Sequence, residues 1–335
     1  MTHTIGVLGS GSWGTALAVH LARTGHDVRL WARDAALAEQ MAARRVNATY
    51  LPGIELPKEV QPTHALAAAL AGAELVVMAV PSHGVRTVAR AASPLLVSGC
   101  TLVSATKGLE ETSLLRMSEV LRAECPADSA IVVLSGPSFA IELARELPTA
   151  MVAAGESSAA VEMIQAHFRS GALRLYGSSD VVGVEIGGAL KNSIAIAAGV
   201  VEGLGLGHNA LAALITRGLA ELTRLACAAG GRRETLAGLS GLGDLVLTCT
   251  GTLSRNRHVG VELARGRALP EILAGMKMVA EGVVTTGAAL ALGERYDVEL
   301  PITTQMAEVL SGRTDVRTAI DALMLRKQRA EAETG

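Results

Sequence analysis

Aromatic side chains are nearly absent. The 335 residues include two Trp, three Tyr and two Phe, 2% of a chain that is 50% hydrophobic. A core of packed rings is excluded, so Ala, Val, Leu and Ile must fill the interior. A dominant charge is also lacking. Thirty Lys and Arg stand against 32 Asp and Glu, a net of −2. No global field therefore favours nucleic acid or an acidic membrane as partner. No run of eighteen apolar residues occurs, and no membrane span is expected. Cysteine is sparse: Cys100, Cys125, Cys227 and Cys249 lie far apart and form no C-x-x-C. That usage predicts reduced, buried thiols in a cytoplasmic protein. The eight histidines are dispersed, with no H-E-x-x-H and no Cys/His cluster, so no metal is expected. MTHTIGVLG at the start has no basic segment before an apolar core, so no secretory leader is expected.

Glycine is what the chain has in quantity, 36 residues. The most informative of them stand near the start, where residues 4–19 read TIGVLGSGSWGTALAV. An apolar run at 5–8 predicts a buried strand, and a helix begins near Thr15. Between them Gly9, Gly11 and Gly14 form G-x-G-x-x-G. In that setting the first glycine makes a tight turn, the second lets backbone approach a pyrophosphate, and the third lets helix pack on strand. Free N–H groups of the helix face the phosphate. Residues 26–33 predict the second strand, whose end reads the ribose in such folds. Arg33 there suits the 2′-phosphate of NADP, and Asp34 beside it leaves NAD open.

Residues 34–45 predict a helix, 46–62 a Pro- and Gly-punctuated loop, and 64–71 a short helix. Tyr50, in that loop, is placed to cover a cofactor. Buried strands follow at 74–80, 101–105 and 131–134, with last strands at 149–153 and 173–176. Lys107 follows the 101–105 strand, at the ligand edge of a doubly wound sheet or as an ordinary surface lysine. Residues 136–140, GPSFA, repeat a strand, turn and helix start. Alternating strands and helices predict a mostly parallel sheet with helices on both faces. Beyond 177–180 the strands stop. Helices are expected near 181–202, 208–229, 257–266 and 282–294, and the tail from Arg326 is expected to fray. The fold class is α/β, with a Rossmann-type domain at 1–179 and an all-helical domain at 180–335.

Three places in the helical half carry chemistry. Lys191 has Gly187, Gly188, Ile194 and Ala195 as helical neighbours, none able to pair with its charge. It either reaches solvent or is desolvated into a proton donor. Asp244 sits alone in the Gly-rich apolar stretch 238–248. It caps a helix or needs a buried partner, for which Lys191 is a candidate. Ser254, Arg255 and Asn256 bring hydroxyl, guanidinium and amide together, a set suited to phosphate.

GSGSWGTALA at 9–18, TKGLE at 106–110, GPSFA at 136–140, LKNSIAIAAG at 190–199, GLSGLGDLVLTCTG at 238–251, SRNR at 254–257 and AEGVVTT at 280–286 run in order along the chain. With them the chain resembles the bacterial NAD(P)-dependent sn-glycerol-3-phosphate dehydrogenase family. The resemblance implies cytoplasmic reduction of dihydroxyacetone phosphate to sn-glycerol 3-phosphate, feeding glycerophospholipid synthesis. It implies cofactor contacts at Ser12, Trp13, Arg33, Tyr50, Lys107, Ala140, Arg255, Val279 and Glu281. It implies substrate contacts at Lys107, Gly136, Ser138, Lys191, Asp244, Ser254, Arg255 and Asn256. Lys191 would be the acid/base, oriented by Asp244. The partner is then a small molecule, and the assembly considered is a homodimer. Competing readings are a two-domain dehydrogenase of a hydroxy acid or ketopantoate, and a non-catalytic dinucleotide sensor.

Overall fold

Eight strands of mostly apolar residues form one sheet in the computed structural model, which describes residues 2–276 and 280–328. They are β1 (Thr4–Leu8), β2 (Asp27–Trp31), β3 (Val60–Thr63), β4 (Leu75–Met78), β5 (Thr101–Ser104), β6 (Ala130–Ser135), β7 (Thr149–Gly155) and β8 (Leu173–Ser178). Their spatial order is β3-β2-β1-β4-β5-β6-β7-β8. Every neighbouring pair is parallel except β6 and β7. The central strands β4 and β5 are buried at every residue, as helices on both faces require. From β1 the chain first builds outward to β2 and β3, then crosses to β4. The crevice between β1 and β4 is thus the point where strand order reverses, the usual ligand site of such sheets.

The sheet differs from the expectation in one strand. Residues 60–62 fall in the Pro- and Gly-punctuated loop the sequence predicts over 46–62, yet residues 60–63 form β3. As an edge strand β3 pairs with β2 alone, so the missing N–H of Pro62 is tolerated. The thiols also differ from expectation. Cys100 and Cys249 are buried, Cys125 is half-buried and Cys227 is exposed, all of them free.

After β8 the described chain is helical. Asp180 starts the longest helix, Val181–Gly203, by accepting the Gly183 N–H at 2.9 Å. Its other carboxylate oxygen accepts from the Arg232 N–H and the Thr235 hydroxyl, tying that helix to the next segment. The helix is long and apolar enough to cross a bilayer, but 89% of its apolar window is buried within the protein. Around it pack Gly207–Ala228, Asp244–Thr250, Arg255–Ala264 and Glu281–Arg295. Pro301–Leu310 and Val316–Met324 were not foreseen from the sequence. Leu109, from the loop after β5, is buried in the core of these helices and ties them to the sheet.

The closest helix crossing is backbone on backbone. A Cβ at Gly199 would stand 1.9 Å from the Arg257 carbonyl oxygen, and one at Gly260 would stand 1.9 Å from that of Ile196. This crossing holds the 254–256 segment beside Lys191. Gly199→Ala should therefore lower the unfolding free energy, measured by urea titration, by about 3 kcal/mol or abolish folding, because the obstacle is main chain rather than a movable side chain. An unfolding free energy within about 0.5 kcal/mol of wild type would contradict this close approach.

Candidate active site at the carboxyl edge of the sheet

The glycine turn sits over the crevice between β1 and β4. Gly9 has φ +116°, and a Cβ there would lie 2.7 Å from the Ala79 carbonyl oxygen. A Cβ at Gly14 would lie 1.9 Å from the Gly9 carbonyl oxygen. Gly11 differs, with nothing within 4 Å of where a Cβ would stand. Helix Ser12–Arg23 begins there with no side-chain cap. Open space over Gly11 and uncapped helix N–H groups fit the pyrophosphate of a dinucleotide. The Tyr50 loop is fastened over the turn: Ser12 Oγ donates to the Tyr50 carbonyl at 2.5 Å. The fully buried Asn47 donates Nδ2 to the Ser10 carbonyl and to Thr15 Oγ1, both at 2.8 Å. Trp13 is half-buried against the sheet core. Arg33 is exposed just beyond the end of β2. Asp34 is occupied otherwise: its Oδ1 accepts the Ala36 and Leu37 N–H groups as the cap of helix Ala35–Arg44.

Two lysines meet one carboxylate, one of them from the turn after β5. Asp244 is fully buried. It opens helix Asp244–Thr250 but does not cap it, so the capping alternative fails. Lys191 Nζ donates to Asp244 Oδ1 at 2.5 Å and to Thr248 Oγ1 at 2.7 Å. Lys107 Nζ donates to Asp244 Oδ2 at 2.7 Å and to the Gly136 carbonyl at 2.9 Å. Lys191 is buried rather than extended into solvent, with 6% of it exposed. Burial pushes its ammonium down to about 8, Asp244 pulls it back up, and the Lys107 charge pushes it further down. Lys107 is held at the sheet edge because Thr106 Oγ1 donates to the Val80 carbonyl at 2.7 Å. Ser138 Oγ donates to the same Gly136 carbonyl, at 3.1 Å.

The phosphate-type cluster meets the Lys191 helix at Asn192. Ser254 caps helix Arg255–Ala264, its Oγ accepting the Arg257 N–H at 3.2 Å. Asn256, in the first turn, donates Nδ2 to Asn192 Oδ1 at 3.0 Å and accepts the Gly282 N–H at 2.9 Å. Arg255 is exposed. Glu281 is half-buried. Burial pushes its carboxyl up, and Arg255, Lys107, Lys191 and His83 draw it back, so it lies within their field. Ala140 opens the short helix Ala140–Ala144, against which the glycine-turn helix packs. Val279 lies outside the described residues.

Sequence reasoning did not single out Thr248, Asn192 and Asn47. Thr248 stands one helical turn after Asp244, and Asn192 immediately after Lys191, positions that could have prompted the question. Asn47 left no signal.

The family model described as NAD-dependent glycerol-3-phosphate dehydrogenase N-terminus matches residues 4–161, and the one described as its C-terminus matches 180–321. Glycerol-3-phosphate dehydrogenase, NAD(P)+, of Geobacter sulfurreducens is 51% identical over 333 residues, 99% of each chain. The protein of that name from Acidobacterium capsulatum is 52% identical over 335 residues, 98% of this chain and 99% of the relative. A crystal structure of glycerol-3-phosphate dehydrogenase from Coxiella burnetii matches with a TM-score of 0.94 at 40% identity, covering 97% of this chain and 99% of that one. A ketopantoate reductase from Ralstonia eutropha shares the fold alone, at TM-score 0.58 and 17% identity over 97% of this chain and 100% of that one. With both halves matched and about half of all residues shared with full-length relatives, the chain belongs to the NAD-dependent glycerol-3-phosphate dehydrogenase family.

Proposed function

We propose that the chain is an NAD(P)-dependent enzyme that interconverts dihydroxyacetone phosphate and sn-glycerol 3-phosphate, acting in the cytoplasm in supply of glycerophospholipid synthesis. The two lysines sharing Asp244 carry this reading. A reduced nicotinamide, when bound, supplies the hydride. Negative charge then grows on the ketone oxygen, and a nearby donor must meet it. Lys191 gives that oxygen a proton, leaving a neutral amine that later regains a proton from water. Its depressed value near 8 keeps it charged at neutral pH yet ready to release the proton. Asp244 orients Lys191, and Lys107 supplies a second cation at the sheet edge. Ser254, Arg255 and Asn256, at a helix N-terminus, hold the substrate phosphate and so place the carbonyl. The division we propose is 1–179 for the dinucleotide and 180–335 for the substrate.

Oxidation of NADPH on addition of dihydroxyacetone phosphate tests the reaction, with ketopantoate and 2-oxo acids as rivals. Turnover with dihydroxyacetone phosphate alone is expected. Preference for a rival acid sinks the substrate assignment, and no turnover with any of them favours a dinucleotide sensor. In the same assay Lys191→Ala and Lys191→Met should each lose roughly 10²–10⁴ in turnover while still binding NADPH. Near-normal kcat in the Met variant would assign Lys191 to packing.

The pH profile has a definite sign. Reduction needs Lys191 protonated, so its kcat/KM should be level below about 8 and fall above it. Oxidation needs the neutral amine and should rise through the same value. Inflections near the ordinary lysine value in both directions contradict the assignment.

Cofactor choice is read at Arg33. With Asp34 engaged as a helix cap, Arg33→Ala should weaken NADPH more than NADH, because only NADPH carries the 2′-phosphate. Equal weakening, measured by fluorescence titration, removes Arg33 from that role.

A further inference from the structure

The helix that carries Lys191 bears a second buried charge that the scheme above leaves unused. Glu185, six residues earlier, is 6% exposed. Its Oε2 accepts from Arg116 Nη1 at 2.7 Å and from Ser118 Oγ at 2.5 Å, and its Oε1 accepts the Ser118 N–H at 2.8 Å. Those partners belong to the sheet side of the molecule, at the start of helix Met117–Glu124. A carboxylate on that helix N-terminus is favourably placed.

Arg116 leads back to Lys107. A bridge pairs Leu109 with Arg116, and the Glu110 N–H donates to the Leu115 carbonyl at 2.9 Å. Leu109 is two residues beyond Lys107. The constraints therefore close a ring. It runs from Lys107 through the bridge to Arg116, across to Glu185, along about 9 Å of helix to Lys191, and through Asp244 back to Lys107. Behind the Lys107 turn lies a small cavity lined in part by Lys107, Ser135 and Glu185. Ser135 Oγ makes no hydrogen bond among the described residues.

We infer that Glu185 is a positioning residue: through Arg116 and Ser118 it fixes the Lys107 turn against the Lys191 helix, and so sets how the two ammonium groups share Asp244. The inference rests on the proposed role of Lys191 as proton donor. Its consequence is specific, because the Lys107 charge helps to hold Lys191 below the ordinary lysine range. Release of the turn removes part of that push.

The test uses the full chain with Glu185→Gln, Arg116→Gln and the double variant, each shown to be folded by circular dichroism. Glu185→Gln keeps the shape and an acceptor for Ser118 but loses the ion pair. Each single variant should lower kcat about tenfold and move the inflection near 8 upward by about half a pH unit or more, with NADPH affinity within about twofold. The double variant should be no worse than either single, since both break one clamp. An unchanged kcat and inflection overturns the inference, and so does a lower kcat with the inflection in place. If Glu185→Gln does not fold, Arg116→Gln and Ser118→Ala read the same clamp from its other side. Lys191→Ala is the control. An inflection that persists in its residual activity defeats the proton-donor reading itself, independently of Glu185.

Discussion

A carboxylate without access to water, held between two ammonium groups, is the interaction on which the rest of this structure depends. Asp244 is fully buried, and its two oxygens take one lysine each. Desolvating three charges is costly, and such a cluster adds little net stability. What it adds is specification. Its members come from the turn after β5, the longest helix and a later short helix, so the shared carboxylate fixes those three segments against one another. The same burial that would be a liability in a structural core keeps the Lys191 proton within reach of neutral pH.

Small residues make this meeting possible. A Cβ at Gly187 would stand 2.7 Å from the Ser240 carbonyl oxygen, just before Asp244. One at Gly188 would stand 2.6 Å from Ser135 Oγ and 3.6 Å from the Lys107 stem. The pair of glycines lets the helix lie close enough for Lys191 and Lys107 to reach one carboxylate. The close crossing at Gly199 and Gly260 does the same for Asn256 and Asn192. A chain with so few aromatics packs backbone against backbone, and its abundant glycine is the means.

Legibility in the sequence followed range. The glycine turn, its strand and its helix are local, and each could be read from a dozen residues. Lys191 and Asp244 could be read as charges in apolar surroundings, and the candidate pairing between them is what the structure shows. Lys107 could be placed at the sheet edge, but its bond to Asp244 spans 137 residues, and no periodicity reports such a contact. β3 was hidden by Pro62, whose missing N–H matters little at an edge. The capping role of Asp34 is not legible because it depends on where the following helix starts. The Glu185 clamp left no trace, since a lone acid in a helix and an arginine 69 residues before it have no sequence pattern in common.

One buried carboxylate holds two ammonium groups, and burial depresses one of them. The most direct measurement is an NMR titration of protein labelled at the lysine side-chain ε-carbon, with the Lys191 signal assigned by its loss in Lys191→Arg. A midpoint near 8 for that signal is predicted. A midpoint at the ordinary lysine value, about 10.4, would contradict the account.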